Sequence, residues 1–217
     1  MRLLKVKKIE FGNTIPSLDD ISTKLDKTGL KHRIDNINWS DFPYKPDVSF
    51  SIGYTDSEIL LKYYINEQYF KAEKTETNQM VCEDSCVEFF VSPANDGIYY
   101  NFEFNGIGTC LLGSGTGRAD STRVDPEIVS KIRRQTSVGE APVKERKSPF
   151  SWTITIAIPK EVLFRHDIKE LKGKTFRANF YKCGDMLSVP HFVTWNPVET
   201  GKPDYHRPEY FGVLKFV

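Results

Sequence analysis

Residues 81–93, VCEDSCVEFFVSP, bring two cysteines and three carboxylates together ahead of an apolar run. Such a set could hold a metal ion, supply catalytic carboxylates, or form one strand of a sheet. On a strand, Cys82 and Cys86 lie roughly 13 Å apart at ~3.3 Å per residue. Two sulfurs on one zinc ion lie about 4 Å apart, since each is ~2.3 Å from the metal. We therefore expect no zinc ion shared by Cys82 and Cys86.

Glu88 and Glu103 form the second candidate, a carboxylate pair on neighbouring predicted strands. Retaining glycosidases hold their two carboxyl groups ~5 Å apart and inverting ones ~6.5–9.5 Å apart. Directly opposed residues of two strands satisfy the shorter distance. The pair is thus compatible with catalysis, and equally with hydrogen bonding on the polar face of a sheet, either structurally or to a ligand.

Other catalytic signatures are weak. The glycine-rich run LLGSGTGRAD (residues 111–120) lacks the Gly-Lys-Ser/Thr ending of a phosphate-binding loop, so it is interpreted as a connection whose Arg118 can contact a ligand. The chain has no G-x-S-x-G motif, and its four histidines lie in unlike contexts. No catalytic residues are assigned.

The last forty positions mix planar rings with amide and cationic groups: Asn179, Tyr181, Lys182, His191, Trp195, Asn196, Tyr205, His206 and Arg207. Sugar sites use this mixture, because a ring packs on the apolar face of the sugar while polar side chains bind its hydroxyls. The alternative is that Trp195 and Tyr205 belong to an ordinary core.

The elements that would position these residues are mostly short strands with period-two alternation. Residues 152–158 point Trp152, Ile154, Ile156 and Ile158 one way, and residues 47–67 predict a hairpin that turns at 55–57. The segment YYNFEFNGIG (99–108) alternates in the same way. Further strands are expected at 86–91, 107–112, 174–182, 189–195 and 211–216, and short helices near 17–26 and 125–134. This pattern predicts an all-β fold, an antiparallel β-sandwich with a few short helices.

The bulk composition is that of one globular domain over residues 1–217. A formal net charge of +1 argues against nucleic acid as the main partner. No apolar run approaches the roughly 20 residues of a membrane-spanning helix, so no membrane partner is expected. The N-terminus shows no secretory signal, which predicts a cytoplasmic protein if the chain is full length and a secreted one if a signal was removed. The four cysteines are expected to be reduced.

Three segments carry a family resemblance: EDSCVEFFVSP, YYNFEFNGIGT and HRPEYFGVLKF, with NFYKCGD and PHFVTWNP between them in order. They resemble the family 9 carbohydrate-binding modules and related DOMON-type sandwiches, most strongly over residues 37–217. The resemblance implies an immunoglobulin-like or jelly-roll type sandwich that binds sugars, often chain ends of glycans related to xylan or cellulose, without cleaving them. Some members carry structural calcium, and no other cofactor is implied.

The resemblance also implies a site in which two tryptophans clamp the sugar and polar groups hold its hydroxyls. With the residues singled out above, the expected ligand-binding set is Glu88, Glu103, Asn105, Arg118, Asn179, Lys182, Trp195, Tyr205 and His206. The first tryptophan position is Cys82 here, and the second carries Tyr205 and His206. Sugar binding is therefore expected to be weak or redirected.

The first hypothesis is non-catalytic carbohydrate binding. A glycoside-active enzyme using Glu88 and Glu103 and an accessory protein-interaction domain are the alternatives.

Overall fold

The computed structural model describes residues 1–12 and 15–217. In this part of the chain fourteen strands form a β-sandwich of two sheets, which confirms the predicted fold class. The strands are β1 (Leu3–Lys8), β2 (His32–Arg33), β3 (Asn36–Ile37), β4 (Asp47–Tyr54), β5 (Glu58–Ala72), β6 (Cys86–Ser92), β7 (Tyr99–Asn105), β8 (Cys110–Gly115), β9 (Thr122–Arg123), β10 (Arg133–Thr136), β11 (Val143–Pro159), β12 (Thr175–Cys183), β13 (Phe192–Thr194) and β14 (Gly212–Phe216). The two α-helices of these residues are α1 (Leu18–Lys27) and α2 (Pro126–Val129).

The first sheet runs in the order β1-β14-β12-β6-β7-β8-β9; β13 also pairs with β12, and β3 pairs with β13. The second sheet runs β10-β11-β5-β4-β1, with β2 beside β4. Most pairs are antiparallel, but β1 pairs in parallel with β14 through its first half and with β4 through its second half. One strand therefore joins both sheets.

The main core lies between the two sheets and is built by the alternating positions of the strands. Trp152, Ile154, Ile156 and Ile158 of β11 all point into it, as the sequence predicts. Phenylalanines from both sheets meet at its centre, where the rings of Phe50 and Phe180 stack with centroids 3.8 Å apart. Burial of such rings is the main stabilising contribution of the core.

Helix α1 begins as the sequence predicts and packs on the outside of the second sheet. The Ser17 side chain accepts a hydrogen bond from the backbone N–H of Asp20 and so caps the first turn. Ile21 and Leu25 then pack against Leu60 on that sheet. No helix in the described part of the chain is long and apolar enough to span a membrane.

Three local predictions need correction. The helix expected at 125–134 ends at Val129, and residues 133–136 instead form β10, which pairs with β11. The strand expected at 107–112 begins at Cys110, because a turn at residues 106–108 precedes it. Cys82 lies in a 3₁₀ turn, Val81–Glu83, before β6 begins, so the strand geometry assumed for Cys82 and Cys86 does not apply.

Candidate functional site

A pocket of about 420 Å³ opens on the outer face of the first sheet, the face turned away from the main core. Strands β6 and β7 supply its floor, and loops before β6, after β8, after β12 and before β14 supply its sides. The lining residues are Met80, Cys82, Glu88, Phe90, Glu103, Arg118, Ser121, Arg123, Asp185, Phe192, Pro203, Asp204, Tyr205 and His206. The volume is within the range of small-molecule sites.

Two carboxyl groups form the floor of this pocket. Glu88 of β6 and Glu103 of β7 are directly opposed in register, and their residues are only 3% and 6% exposed. Glu103 Oε1 accepts a hydrogen bond of 2.9 Å from Asn101 Nδ2. Glu88 Oε1 accepts one of 3.1 Å from the Cys183 thiol. Alternation along β6 and β7 explains the placement, since the neighbours Val87 and Phe89 face the main core.

Burial changes the protonation behaviour of these carboxyl groups. It raises the pKa of Glu103 to about 7, and together with the nearby Glu103 charge it raises the pKa of Glu88 well above its ordinary value. Burial likewise raises the pKa of Asp185, on the loop after β12, to about 6. The floor can therefore both donate and accept hydrogen bonds near neutral pH.

Aromatic side chains form one wall of the pocket. Tyr205 stacks on Tyr181 with ring centroids 4.0 Å apart and planes 9° apart, and its hydroxyl donates to the Lys182 carbonyl. Phe192 meets Tyr205 edge to face. This packing fixes the Tyr205 ring, so the wall is formed before any ligand arrives.

His206 lies beside this wall, and its backbone N–H donates to Asp204 Oδ1. Its Nδ1 is 2.6 Å from the Tyr99 hydroxyl. Burial, together with the Arg118 charge, lowers the pKa of His206 to about 4, so the ring is neutral at pH 7.

The glycine-rich run forms the β8–β9 connection and brings Arg118 to the rim. Asp120 accepts hydrogen bonds from the backbone N–H groups of Thr116 and Gly117, which closes the turn. Arg118 then donates to Asp204 at 2.9 Å across the pocket mouth. The turn serves to position a cation at the pocket, and the N–H groups of Thr116 and Gly117 are already satisfied within the loop.

Five of the nine predicted ligand residues converge on the pocket: Glu88, Glu103, Arg118, Tyr205 and His206. Cys82, the predicted stacking position, also lines it. The other four lie elsewhere.

Asn105 and Asn179 are buried and use their amides to tie backbone segments together. Asn105 Nδ2 donates to Asp84 Oδ2 at 3.0 Å. Asn179 Oδ1 accepts from the backbone N–H of Asn196, and its Nδ2 donates to the Asn196 carbonyl. Their hydrogen bonds hold loops in position, and neither side chain lines the pocket.

Lys182 and Trp195 point to the opposite side of the first sheet. Lys182 is fully buried, with its Nζ 2.9 Å from Glu67 Oε2 on the second sheet and 2.8 Å from His191 Nε2. Trp195 is a core residue that covers Gly212 so closely that a Cβ there would be 2.4 Å from the ring. Both contribute to the interior between the sheets, away from the pocket.

The sequence reasoning missed six polar or aromatic pocket residues: Phe90, Ser121, Arg123, Asp185, Phe192 and Asp204. Asp185 and Phe192 flank the loop between β12 and β13, within segments quoted for their composition. Their position after the end of β12 was the available signal, because loops at one sheet edge meet in space.

One cluster of metal-binding side chain types occurs in residues 1–12 and 15–217: Cys86, Glu88 and Cys183, whose ligand atoms lie within 4.8 Å of one another. Calcium takes six to eight oxygen ligands, so a cluster with two sulfurs does not fit the structural calcium of the resemblance. All four cysteines are free, as expected.

The sequence of the chain matches a known protein family. The sequence model of carbohydrate-binding family 9 matches residues 19–216, nearly the whole chain. The chain belongs to carbohydrate-binding family 9. The resemblance of the three motif segments to the family 9 modules is thereby confirmed. A search of curated proteins found no match.

Solved structures of family 9 and related proteins share the sandwich. A candidate carbohydrate-binding protein from Bacteroides uniformis ATCC 8492 is 40% identical, with a TM-score of 0.96 over 100% of this chain and 99% of its own. A family 9 module from Caldicellulosiruptor kristjanssonii in complex with glucose is 13% identical, with a TM-score of 0.62 over 100% of this chain and 96% of its own. The same kind of module in complex with cellotriose is 12% identical, with a TM-score of 0.60 over 99% of this chain and 93% of its own. The last two likenesses concern the fold.

Proposed function

We propose that this family 9 protein binds a sugar, without cleaving it, in the pocket above Glu88 and Glu103. The observation that carries the proposal is the opposed, buried carboxyl pair beneath a wall formed by Tyr205 and Phe192. A sugar ring has one apolar face and a rim of hydroxyls, and this pocket offers both kinds of partner. The terminal sugar residue of a glycan is the part that would bind in such a pocket.

The polar groups of the pocket suit hydroxyls better than a charged ligand. The floor carries carboxyl groups and the rim carries Arg118 and Arg123, so both signs of charge are present. Arg118 is already paired with Asp204, so its positive charge at the rim is neutralised. Hydroxyls can donate to the carboxylates and accept from the guanidinium groups at once.

Affinity is expected to be low because of Cys82. This residue lines the pocket at the position that the family resemblance assigns to the first stacking tryptophan. A thiol covers far less apolar sugar surface than an indole, and a stacked ring contributes roughly 1–3 kcal/mol. Hydrogen bonds to hydroxyls largely replace bonds to water. We therefore expect millimolar dissociation constants for simple sugars.

Two features argue against hydrolysis by Glu88 and Glu103. Glycosidases place their two carboxyl groups on either side of the scissile bond. Glu88 and Glu103 project from adjacent positions on one face of one sheet, so both approach a ligand from the same side. Burial also raises the pKa of both, whereas a retaining enzyme needs one ionised nucleophile.

The test is a titration followed by two-dimensional NMR, which detects millimolar binding. Glucose, cellobiose and xylobiose serve as probes, since related modules were solved with glucose and cellotriose. At least one sugar should shift amides around residues 86–90 and 101–105, and Glu103→Gln should weaken that binding about tenfold or more. Glu140→Gln, an exposed carboxylate outside the pocket, is the matched control.

Absence of any pocket shift with all three sugars contradicts the proposal and favours an accessory interaction domain. Cleavage is checked separately by chromatography of cellotriose after long incubation with the protein. Intact cellotriose is expected. Conversion of many cellotriose molecules per protein molecule to shorter sugars would favour the enzyme alternative.

A further inference from the structure

Two buried cysteines beneath the pocket floor converge through strand register on Glu88, a glutamate of that floor. Cys86 on β6 and Cys183 on β12 are directly opposed partners in the first sheet. Glu88 follows Cys86 by two positions and so lies on the same face. The three ligand atoms are within 4.8 Å of one another, and all three residues are buried. The sequence hid this cluster because Cys183 is distant in the chain from the other two.

The donor set selects one class of cation. Two sulfurs and one carboxylate oxygen suit a thiophilic, tetrahedral ion, since Zn²⁺ binds sulfur at ~2.3 Å and carboxylate oxygen at ~2.0–2.2 Å. Ligands on such an ion are separated by about 3.5–4 Å, which the 4.8 Å limit of the cluster accommodates. The contact of 3.1 Å between Cys183 Sγ and Glu88 Oε1 needs only a small adjustment.

The surroundings also favour an ion at this place. Glu88 faces the pocket, so the cluster has a route from solvent. Asp185 lines the same pocket, and its Oδ1 is buried without a hydrogen-bond partner among the described residues. Its backbone N–H donates to the carbonyl of Cys82, which lies 3.8 Å from Cys183 Sγ. A buried oxygen left unpaired next to thiols is the feature that a dication would satisfy.

We infer that Cys86, Cys183 and Glu88 bind a zinc-like divalent cation at the floor of the pocket. On binding, the two thiol protons and any proton on Glu88 pass to solvent, and two thiolates and a carboxylate coordinate the ion. Three protein ligands leave one coordination position open. No oxidant or reductant is needed. Glu88 belongs to both proposed sites, but the ion and the sugar are tested with separate probes, so either proposal can fail without the other.

The test uses the fully reduced, metal-free protein and Co²⁺, a spectroscopic substitute for Zn²⁺. Wild type should bind one Co²⁺ with the intense visible bands of a tetrahedral site and an ultraviolet thiolate-to-cobalt band. Zn²⁺ should abolish both signals. Elemental analysis after Zn²⁺ loading and desalting should give one zinc per chain.

Variants decide which residues hold the ion. Cys183→Ser should weaken Co²⁺ binding by more than the 10–100-fold typical of losing an outer-shell partner, and should remove the thiolate band. Cys110→Ser is the matched control, a buried cysteine on the core side, and should retain both signals. Glu88→Gln provides a second test should Cys183→Ser not fold: weaker binding with the thiolate band kept.

The inference is overturned by a wild type that shows no thiolate-to-cobalt band. It is equally overturned if the band persists in both folded Cys183→Ser and Cys86→Ser, which would place the ion elsewhere.

Discussion

Two buried polar clusters lie on opposite faces of β12, and they differ in how their charges are satisfied. On the inner face, Lys182 Nζ contacts Glu67 Oε2 at 2.9 Å and His191 Nε2 at 2.8 Å. Glu67 Oε1 accepts a further hydrogen bond of 2.6 Å from Trp152 Nε1. Burial and the Lys182 charge lower the pKa of His191 well below its ordinary value, so the neutral ring can accept from Lys182.

On the outer face, the pocket floor keeps carboxyl groups that lack ionic partners. Glu88 accepts a hydrogen bond from the Cys183 thiol, and Glu103 accepts one from the Asn101 side-chain amide. Burial raises the pKa of both carboxyl groups. Asp185 Oδ1 has neither a hydrogen-bond partner nor an ionic partner among the described residues, whereas Glu67 Oε2 of the inner cluster, which also lacks a hydrogen bond, has its ion pair with Lys182. The inner cluster joins the two sheets, whereas the outer one is open to a pocket.

The difference teaches where unsatisfied charge is tolerated. A buried charge costs several kcal/mol unless it is paired, so a closed core must pair it internally. A pocket can leave its groups unpaired when a ligand supplies the partner, and perturbed carboxyl groups in a cleft therefore mark a functional site. Four predictions test this distinction.

The largest effect is expected from Lys182→Ala. This change leaves Glu67 buried without its ionic partner and should lower the free energy of unfolding by about 3–5 kcal/mol. Urea unfolding at pH 7 measures it. The double variant Lys182→Met with Glu67→Gln, which removes both charges and keeps an acceptor for Trp152, should recover more than half of the loss. A cost below about 1 kcal/mol for the single variant would contradict a closed, paired network.

Glu103 should give the outer face a pH-dependent stability. Its pKa is about 7 in the folded protein against 4.5 ordinarily, so between these values the folded state keeps a proton that the unfolded state has lost. Stability therefore falls as pH rises from 4.5 to 7, by on the order of 3 kcal/mol at 1.36 kcal/mol per unit.

Comparing urea unfolding of wild type and Glu103→Gln at pH 5 and pH 7.5 isolates this contribution. The variant should become the more stable of the two as the pH increases. Exposed Glu140→Gln serves as the control and should follow wild type. Parallel pH profiles for Glu103→Gln and wild type would show that the carboxyl group is not perturbed.

Cys82→Trp should strengthen sugar binding in the pocket. The added ring restores the apolar surface that a sugar face can cover, and a gain of about 1.4 kcal/mol is tenfold in dissociation constant. Calorimetric titration with glucose, cellobiose and xylobiose measures the change. Met186→Trp adds a ring at an exposed position outside the pocket and should gain nothing. No gain for any sugar in folded Cys82→Trp would favour the interaction-domain alternative.

The smallest effect is expected at the rim. Arg118 and Asp204 form an ion pair with side chains 63% and 29% exposed. Pairs of this kind contribute about 0–1 kcal/mol, so Asp204→Asn should change the free energy of unfolding by less than about 1 kcal/mol. Thermal or urea unfolding provides the measurement. A loss above about 2 kcal/mol would mean that the rim belongs to the stabilising framework.

Alternation along strands made much of the fold predictable. It correctly placed Trp152, Ile154, Ile156 and Ile158 of β11 on the face that packs into the core. The helix expected at 125–134 failed because residues 133–136 pair with an exposed edge of β11, and tertiary pairing overrides local preference.

The candidate site was less predictable than the fold, because amino-acid composition does not show which face of a strand each side chain lies on. Asn179 and Lys182 were assigned to one site, yet they are three positions apart on one strand and must face opposite ways. The spacing of these two residues alone therefore excludes a site that contains both side chains. The meeting of Cys183 with Cys86 required the register of two strands, which no local pattern contains.

Strand β1 also has a consequence for the synthesis of the chain. Leu3 pairs with Val213, whereas Lys7 pairs with Gly53, so the strand that joins the sheets gains its partner β14 much later in translation than its partner β4. Contacts this distant form slowly, because loop closure costs entropy before pairing repays it. A ribosome-bound chain that still lacks β14 exposes edges of β1 and β12, and such edges promote aggregation. Chaperone demand should therefore be concentrated in the interval before β14 emerges.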